Sequence, residues 1–184
     1  MIAFLALAAA VAEPANQTSP QIPAMAQLYE ELCLKAFPDD SAVEKMILAR
    51  GGKALSNKDV KVTMGDDPAK AWSLPGGNVT VWIEFPPYHA CSVRWSTPVL
   101  GEFADYEAIA AKYEAVVGGF EPIQPMEADR GDIHIRAVGA QRSLPNGAHE
   151  SLFIFEQSIS DPKRRAAGET GYSLRFVHQF APPE

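Results

Sequence analysis

The chain has two cysteines, and their placement restricts what it can fold into. Cys33 falls in a stretch of helical period. Cys91, 58 positions later, falls in a stretch of strand period, YHACSVRW. A bond between them would hold an early helix against one particular strand. Whether that bond forms depends on the compartment, because thiols pair in oxidising surroundings and stay reduced in the cytosol.

The first residues speak to the compartment. Ile2 to Val11 are apolar and uncharged, and Ala10-Val11-Ala12 has the A-x-A form that precedes a signal-peptidase cut. The run is far shorter than the roughly 20 residues a membrane span needs, and no other segment is long enough to make one. The expectation is export, to a periplasmic or secreted location. A leader over 1–12 is expected to be removed. A flexible lead-in over 13–23 and a single domain over 24–181 follow. In an oxidising compartment Cys33 and Cys91 are expected to form a disulfide. A nucleophilic thiol would need an activating base, and His89, two residues from Cys91 on the same strand, is the one candidate. A zinc site wants about four ligands, and His89 with two cysteines makes three.

Net charge is −7. An acidic chain gains little from counterion release, so nucleic acid is not an expected partner, and anionic lipid surfaces offer no attraction to a basic patch that is missing. The basic run Lys163-Arg164-Arg165 sits among Asp161, Pro162 and Gly168 and reads as a solvated loop.

Hydrophobic periodicity supplies the fold class. Met25, Leu28, Tyr29, Leu32 and Ala36 recur at helical spacing up to Pro38. Ser41 with Glu44 reads as a capping box for a second helix that ends at Gly51-Gly52. Tyr106, Ile109, Ala110, Tyr113, Val116 and Val117 mark a third helix, ending at Gly118-Gly119. Between and after these, period-two runs read as strands: AKAWS, VTVWIEF, ACSVRWS, IHIRAVGAQRS, SLFIFEQSIS and YSLRFVHQF. The stretch from Lys53 to Pro68 reads as a polar connection. The turns Ser73-Leu74-Pro75-Gly76-Gly77 and Ser143-Leu144-Pro145-Asn146-Gly147 follow the second and third helices at similar distances. The expected architecture is α+β: an antiparallel sheet of about six strands, helices on one face, and an internal duplication of helix, hairpin and strand, preceded by the N-terminal helix.

No strong catalytic motif is present, neither a P-loop nor G-x-S-x-G, H-E-x-x-H or G-x-G-x-x-G. Asp129, Asp132 and His134 offer oxygen and nitrogen donors, but without the dense spacing of a calcium loop, and read as a solvated turn. No metal and no cofactor is expected. Strand alternation that buries Val81 and Ile83 turns Trp82 to the opposite face. Phe153 and Phe155 fall on that face too. Three aromatics there need a cover, either the N-terminal helix or a bound ligand or partner. Trp82, Phe153 and Phe155 are therefore the candidate binding face.

The leader, the cysteine pair and the small acidic α+β body together resemble uncharacterised exported proteins of Gram-negative bacteria, over the whole chain. The resemblance implies the cell envelope as the setting and carries over no activity and no site residue. The expected function is a binding or interaction module for a protein or small molecule of the envelope. The alternatives are a hydrolase-like enzyme with His89 or His134 as base, and a subunit of an envelope assembly.

Overall fold

The computed structural model describes residues 21–97, 104–167 and 171–183. The expected leader over 1–12 and most of the lead-in lie outside the described residues.

Helix α1 (Gln21–Tyr29) begins inside the segment read as lead-in and runs on as a π-helical stretch, Glu30–Ala36. Helix α2 covers Asp40–Ala49. Its cap differs from the one expected. Asp39, not Ser41, is the N-cap, accepting from the backbone N–H groups of Ser41 and Ala42 at 3.1 and 3.0 Å. Ser41 donates its hydroxyl to the same oxygen at 2.8 Å. A carboxylate at that position satisfies two orphan donors and favours the positive end of the helix dipole.

The chain then forms strand β1 (Lys53–Ala54), helix α3 (Asn57–Met64), and strands β2 (Ala69–Ser73), β3 (Val79–Glu84) and β4 (His89–Thr97). Helix α4 (Ala104–Val117) leads into β5 (Glu121–Arg130), β6 (Ile133–Ser143) and β7 (His149–Ile159). The short helix α5 (Pro162–Ala166) precedes β8 (Tyr172–Ala181). The run Lys163-Arg164-Arg165 thus lies in a helical turn, where Asp161 accepts from the N–H groups of Lys163 and Arg164.

Among the described residues the strands make one antiparallel sheet of eight, in the order β1-β2-β3-β4-β8-β7-β6-β5. The fold class is α+β, as expected, but the count of six is corrected to eight. Both added strands are edges. β1 has two residues, too few for a period to register. β5 carries Pro122, Pro125 and four charges, and proline is tolerated on an edge because one side of the strand needs no donors. Each half is a four-stranded meander, and the two meet where β4 pairs with β8. The hairpins β2–β3 and β6–β7 close alike. Leu74 N–H bonds Val79 O at 2.9 Å and Leu144 N–H bonds Ala148 O at 2.8 Å. Gly77 and Gly147 each bond back to the leucine carbonyl, with φ near +76° and +80°.

One sheet face carries the main core. Trp72, Val81, Ile83, Cys91, Val93, Trp95, Leu152, Ile154, Leu174 and Phe176 pack beneath α1, its π-helical extension, α2 and α4. Cys33 is bonded to Cys91, with Cα atoms 5.3 Å apart, so the helix is stapled to β4 as expected. Tyr29, fully buried, donates its hydroxyl to the Val177 carbonyl at 3.0 Å. The helices are not confined to this face. Helix α3 lies on the other, where Val60, with Leu55 and Met64, packs on Ala69, Ala71 and Trp82.

Candidate functional site

The second face is where the structure and the expected binding residues meet. Cross-strand register sets its rows. One row runs Ile123, Gly139, Phe153, Val177, Ser92, Trp82, Ala71 across seven strands. The next runs Met126, Ala137, Phe155, Arg175, Arg94, Thr80. The cover over Trp82 is α3, not the N-terminal helix, which lies on the opposite face with the staple. Trp82 is 4% exposed, donates Nε1–H to Thr80 Oγ1 at 2.9 Å, and supports the Arg94 guanidinium 5.4 Å above its ring. It is a core residue of a small second cluster.

Phe153 and Phe155 lie beyond the reach of α3. Their rings, 5.5 Å apart, are half-buried. With Ile123, Met126, Ala137 and Gly139 they line an apolar groove of about 190 Å³. Gly139 makes room for it, since a Cβ there would meet the Leu152 carbonyl and come within 2.9 Å of the Phe153 ring. A register shift between Ile123 and Met126 of β5 opens the outer wall. Met126 and Ile133 are 42% and 38% exposed.

Between the covered and bare halves stand Arg94 and Arg175, directly paired across β4 and β8. Arg175 is bonded to Glu84. Desolvation first, then the positive charge of Arg175, pull the Arg94 pKa below the ordinary arginine value, against a smaller opposing effect of Glu84.

The helix-covered face holds a buried polar network that sequence spacing did not reveal. Glu150 and His178 are each 1% exposed. Glu150 accepts from Tyr113 Oη at 2.6 Å and Arg142 Nε at 2.6 Å, and its Oε1 lies 2.8 Å from His178 Nε2. His178 Nδ1 lies 2.6 Å from the Cys33 carbonyl oxygen. Burial pushes the Glu150 carboxyl up, but the bonds from His178, Tyr113 and Arg142 outweigh it and hold the pKa at about 2. All its acceptor directions are engaged by the protein, so its chemistry is that of a brace linking β6, β7, β8, α4 and the π-helical stretch. A separate cleft of about 320 Å³ lies between α4 and strands β6 and β7, lined by Tyr106, Ala110, Leu152, Glu107 and Glu114. Desolvation raises the Glu114 carboxyl.

The remaining sequence candidates disperse. His89 Nε2 contacts Asp40 Oδ1 at 2.8 Å and packs edge-on against Phe37. Cys91 is consumed by the disulfide, so no Cys–His nucleophile forms. His134 Nδ1 lies 2.8 Å from Asp129 Oδ1, and bonds to that carboxylate raise the imidazole pKa. Asp132 pairs with Arg164. Gly131, at φ +65°, closes the β5–β6 turn between them. Among the described residues no helix is long and apolar enough to cross a membrane. No protein-family model, no curated protein and no solved structure matches the chain.

Proposed function

We propose that this chain is an exported, periplasmic or secreted binding module, of the kind its leader and cysteine pair suggest, and that its contact surface is the bare half of the second sheet face. One observation carries the reading. The two halves of that face are both apolar, yet α3 covers only the half around Trp82, leaving Phe153, Phe155 and Met126 lining an open groove. Large apolar side chains gathered on an open face mark interaction sites more often than scattered ones do. Trp82 contributes from below, as the support of the face and not as a contact. An internal duplication accounts for the half-and-half pattern, since the matching meanders and turns would arise from two copies of which one kept a covering helix.

A neutral apolar dye, Nile red, tests the surface without presupposing a ligand charge. Saturable one-to-one binding to the folded, oxidised protein is expected, and Phe155→Ser should abolish it while the protein stays folded, with only a small fall in melting temperature for a half-buried ring. Leu48→Ser, an exposed site on α2, is the control. Absence of saturable binding, or binding indifferent to Phe155→Ser, overturns the reading.

A further inference from the structure

Four buried side-chain polar atoms among the described residues have no hydrogen-bond partner, and three of them gather on the second face: Ser92 Oγ, Arg94 Nε and Arg175 Nε. The fourth, the Tyr106 hydroxyl, lies beside Tyr29 on the helix-covered face. Ser92 and Arg94 are two apart on β4, and Arg175 is the direct cross-strand partner of Arg94. Buried polar groups are almost always paired, so such a cluster calls for an explanation.

The charges are unbalanced as well. Arg175 is bonded to Glu84, while Arg94 has no carboxylate partner among the described residues and rests on the Trp82 ring. Like charges placed directly opposite in a sheet repel. Two guanidiniums against one carboxylate leave a single positive charge in excess, half-desolvated, in a protein whose net charge is −7. A monoanion balances it. A carboxylate also matches the planar fork of arginine donors.

The neighbours of this charge are apolar. Phe155 is the cross-strand partner of Arg175, and beyond it on the same row come Ala137 and Met126. Four inter-strand steps separate Arg94 from Met126, about 19 Å at the usual strand spacing. The groove of about 190 Å³ is smaller than pockets that enclose bulky ligands. It suits a slim chain lying across the strands. The cleft beneath α4 has the opposite character, with Glu107 and Glu114 in its lining.

We propose that the second sheet face binds a single-chain amphiphile with a carboxylate head, the head on Arg94 and Arg175 and the chain across Phe155 toward Met126. The proposal rests on the reading of this face as the contact surface and adds the ligand class. Trp82 then acts as a positioning residue, holding the Arg94 guanidinium level with the groove.

The test uses the full oxidised protein at pH 7, where an alkyl carboxylate is ionised. Decanoate and 1-decanol, of equal chain length, compete against Nile red, and acetate supplies the head without the chain. Decanoate should displace the dye at a concentration at least tenfold lower than 1-decanol, and acetate should not displace it. In Arg94→Gln that ratio should fall to about one. Arg94→Met, of similar length, is the second variant and carries the same expectation. Equal displacement by decanoate and decanol, or a preference that survives both variants, overturns the ligand class while dye binding keeps the contact surface standing. Failure of the dye to bind removes the surface, and the amphiphile site with it.

Discussion

Replacing Trp82 by alanine separates a supported face from an open one. The indole is 4% exposed and packs against Ala69, Ala71, Leu55, Val60 and Met64. Removing a tryptophan from such a site costs about 3–5 kcal/mol, through lost burial and the cavity left behind. Here the lost bond to Thr80 and the lost support of Arg94 place the expectation near the upper part of that range. Urea unfolding of the oxidised protein measures it as a fall in the midpoint at unchanged slope. Val60 and Met64 are the residues α3 sets on this cluster, and its remaining apolar side chain, Val62, is exposed, so amide exchange in Asn57–Met64 should quicken at the same time. Phe155→Ala, at a half-exposed ring, should cost only about 1 kcal/mol. A Trp82→Ala loss below about 1 kcal/mol, or protection in α3 left unchanged, would refute the assignment of Trp82 to a core beneath α3.

Other outcomes follow from the same structure. Cys91→Ser should lower stability by about 4 kcal/mol by chain-entropy reasoning for a 58-residue separation, read by urea unfolding against the wild type. The Glu150 carboxyl, held at about 2, lies below its unfolded value of about 4.3. Its contribution is therefore complete above that unfolded value and is lost as pH falls through about 2, so the melting temperature should drop across this window. Glu150→Gln should make that acid limb shallower, and an unaltered limb would count against the network. Gly139→Ala should destabilise the fold and weaken Nile red binding, because the added methyl strikes the Leu152 carbonyl and displaces the Phe153 ring. The proposed export, which rests on the sequence and not on the described residues, has its own check: intact mass of the protein recovered from the envelope of its host should show a chain beginning at Glu13.

Much of the framework was legible because its signals are local. Alternation in VTVWIEF and ACSVRWS registers as β3 and β4, and Leu74-Pro75-Gly76-Gly77 registers as their neighbouring hairpin turn. The staple is legible in the cysteine count taken with the expectation of export. Helix α3 is hard to see in the sequence because its stretch is mostly polar. Its signals were nonetheless present: Ser56 caps Asp59 N–H at 3.2 Å, Val60 and Met64 fall four apart, and Gly65 ends it at φ +64°. β5 was hidden by its two prolines, which argue against a central strand and not against an edge. The charged features lay out of reach for a different reason. Glu150 meets His178 across the β7–β8 register, and Arg94 meets Arg175 across β4–β8. Those pairings join residues 28 and 81 positions apart, and no periodicity within either strand encodes which residue of one faces which of the other. Strand alternation alone places Trp82, Phe153 and Phe155 opposite the main core, but the division of that face into a covered and an open half depends on α3.

The assignment of the second sheet face to a carboxylate amphiphile is tested most directly by mapping decanoate onto the protein with backbone and methyl chemical shifts. The account predicts perturbations confined to the second face, at Arg94, Arg175, Ala137, Met126 and Ile123, saturating together with one dissociation constant. Shifts at Ala110 and Leu152 beneath α4, or none at saturating decanoate, would contradict it.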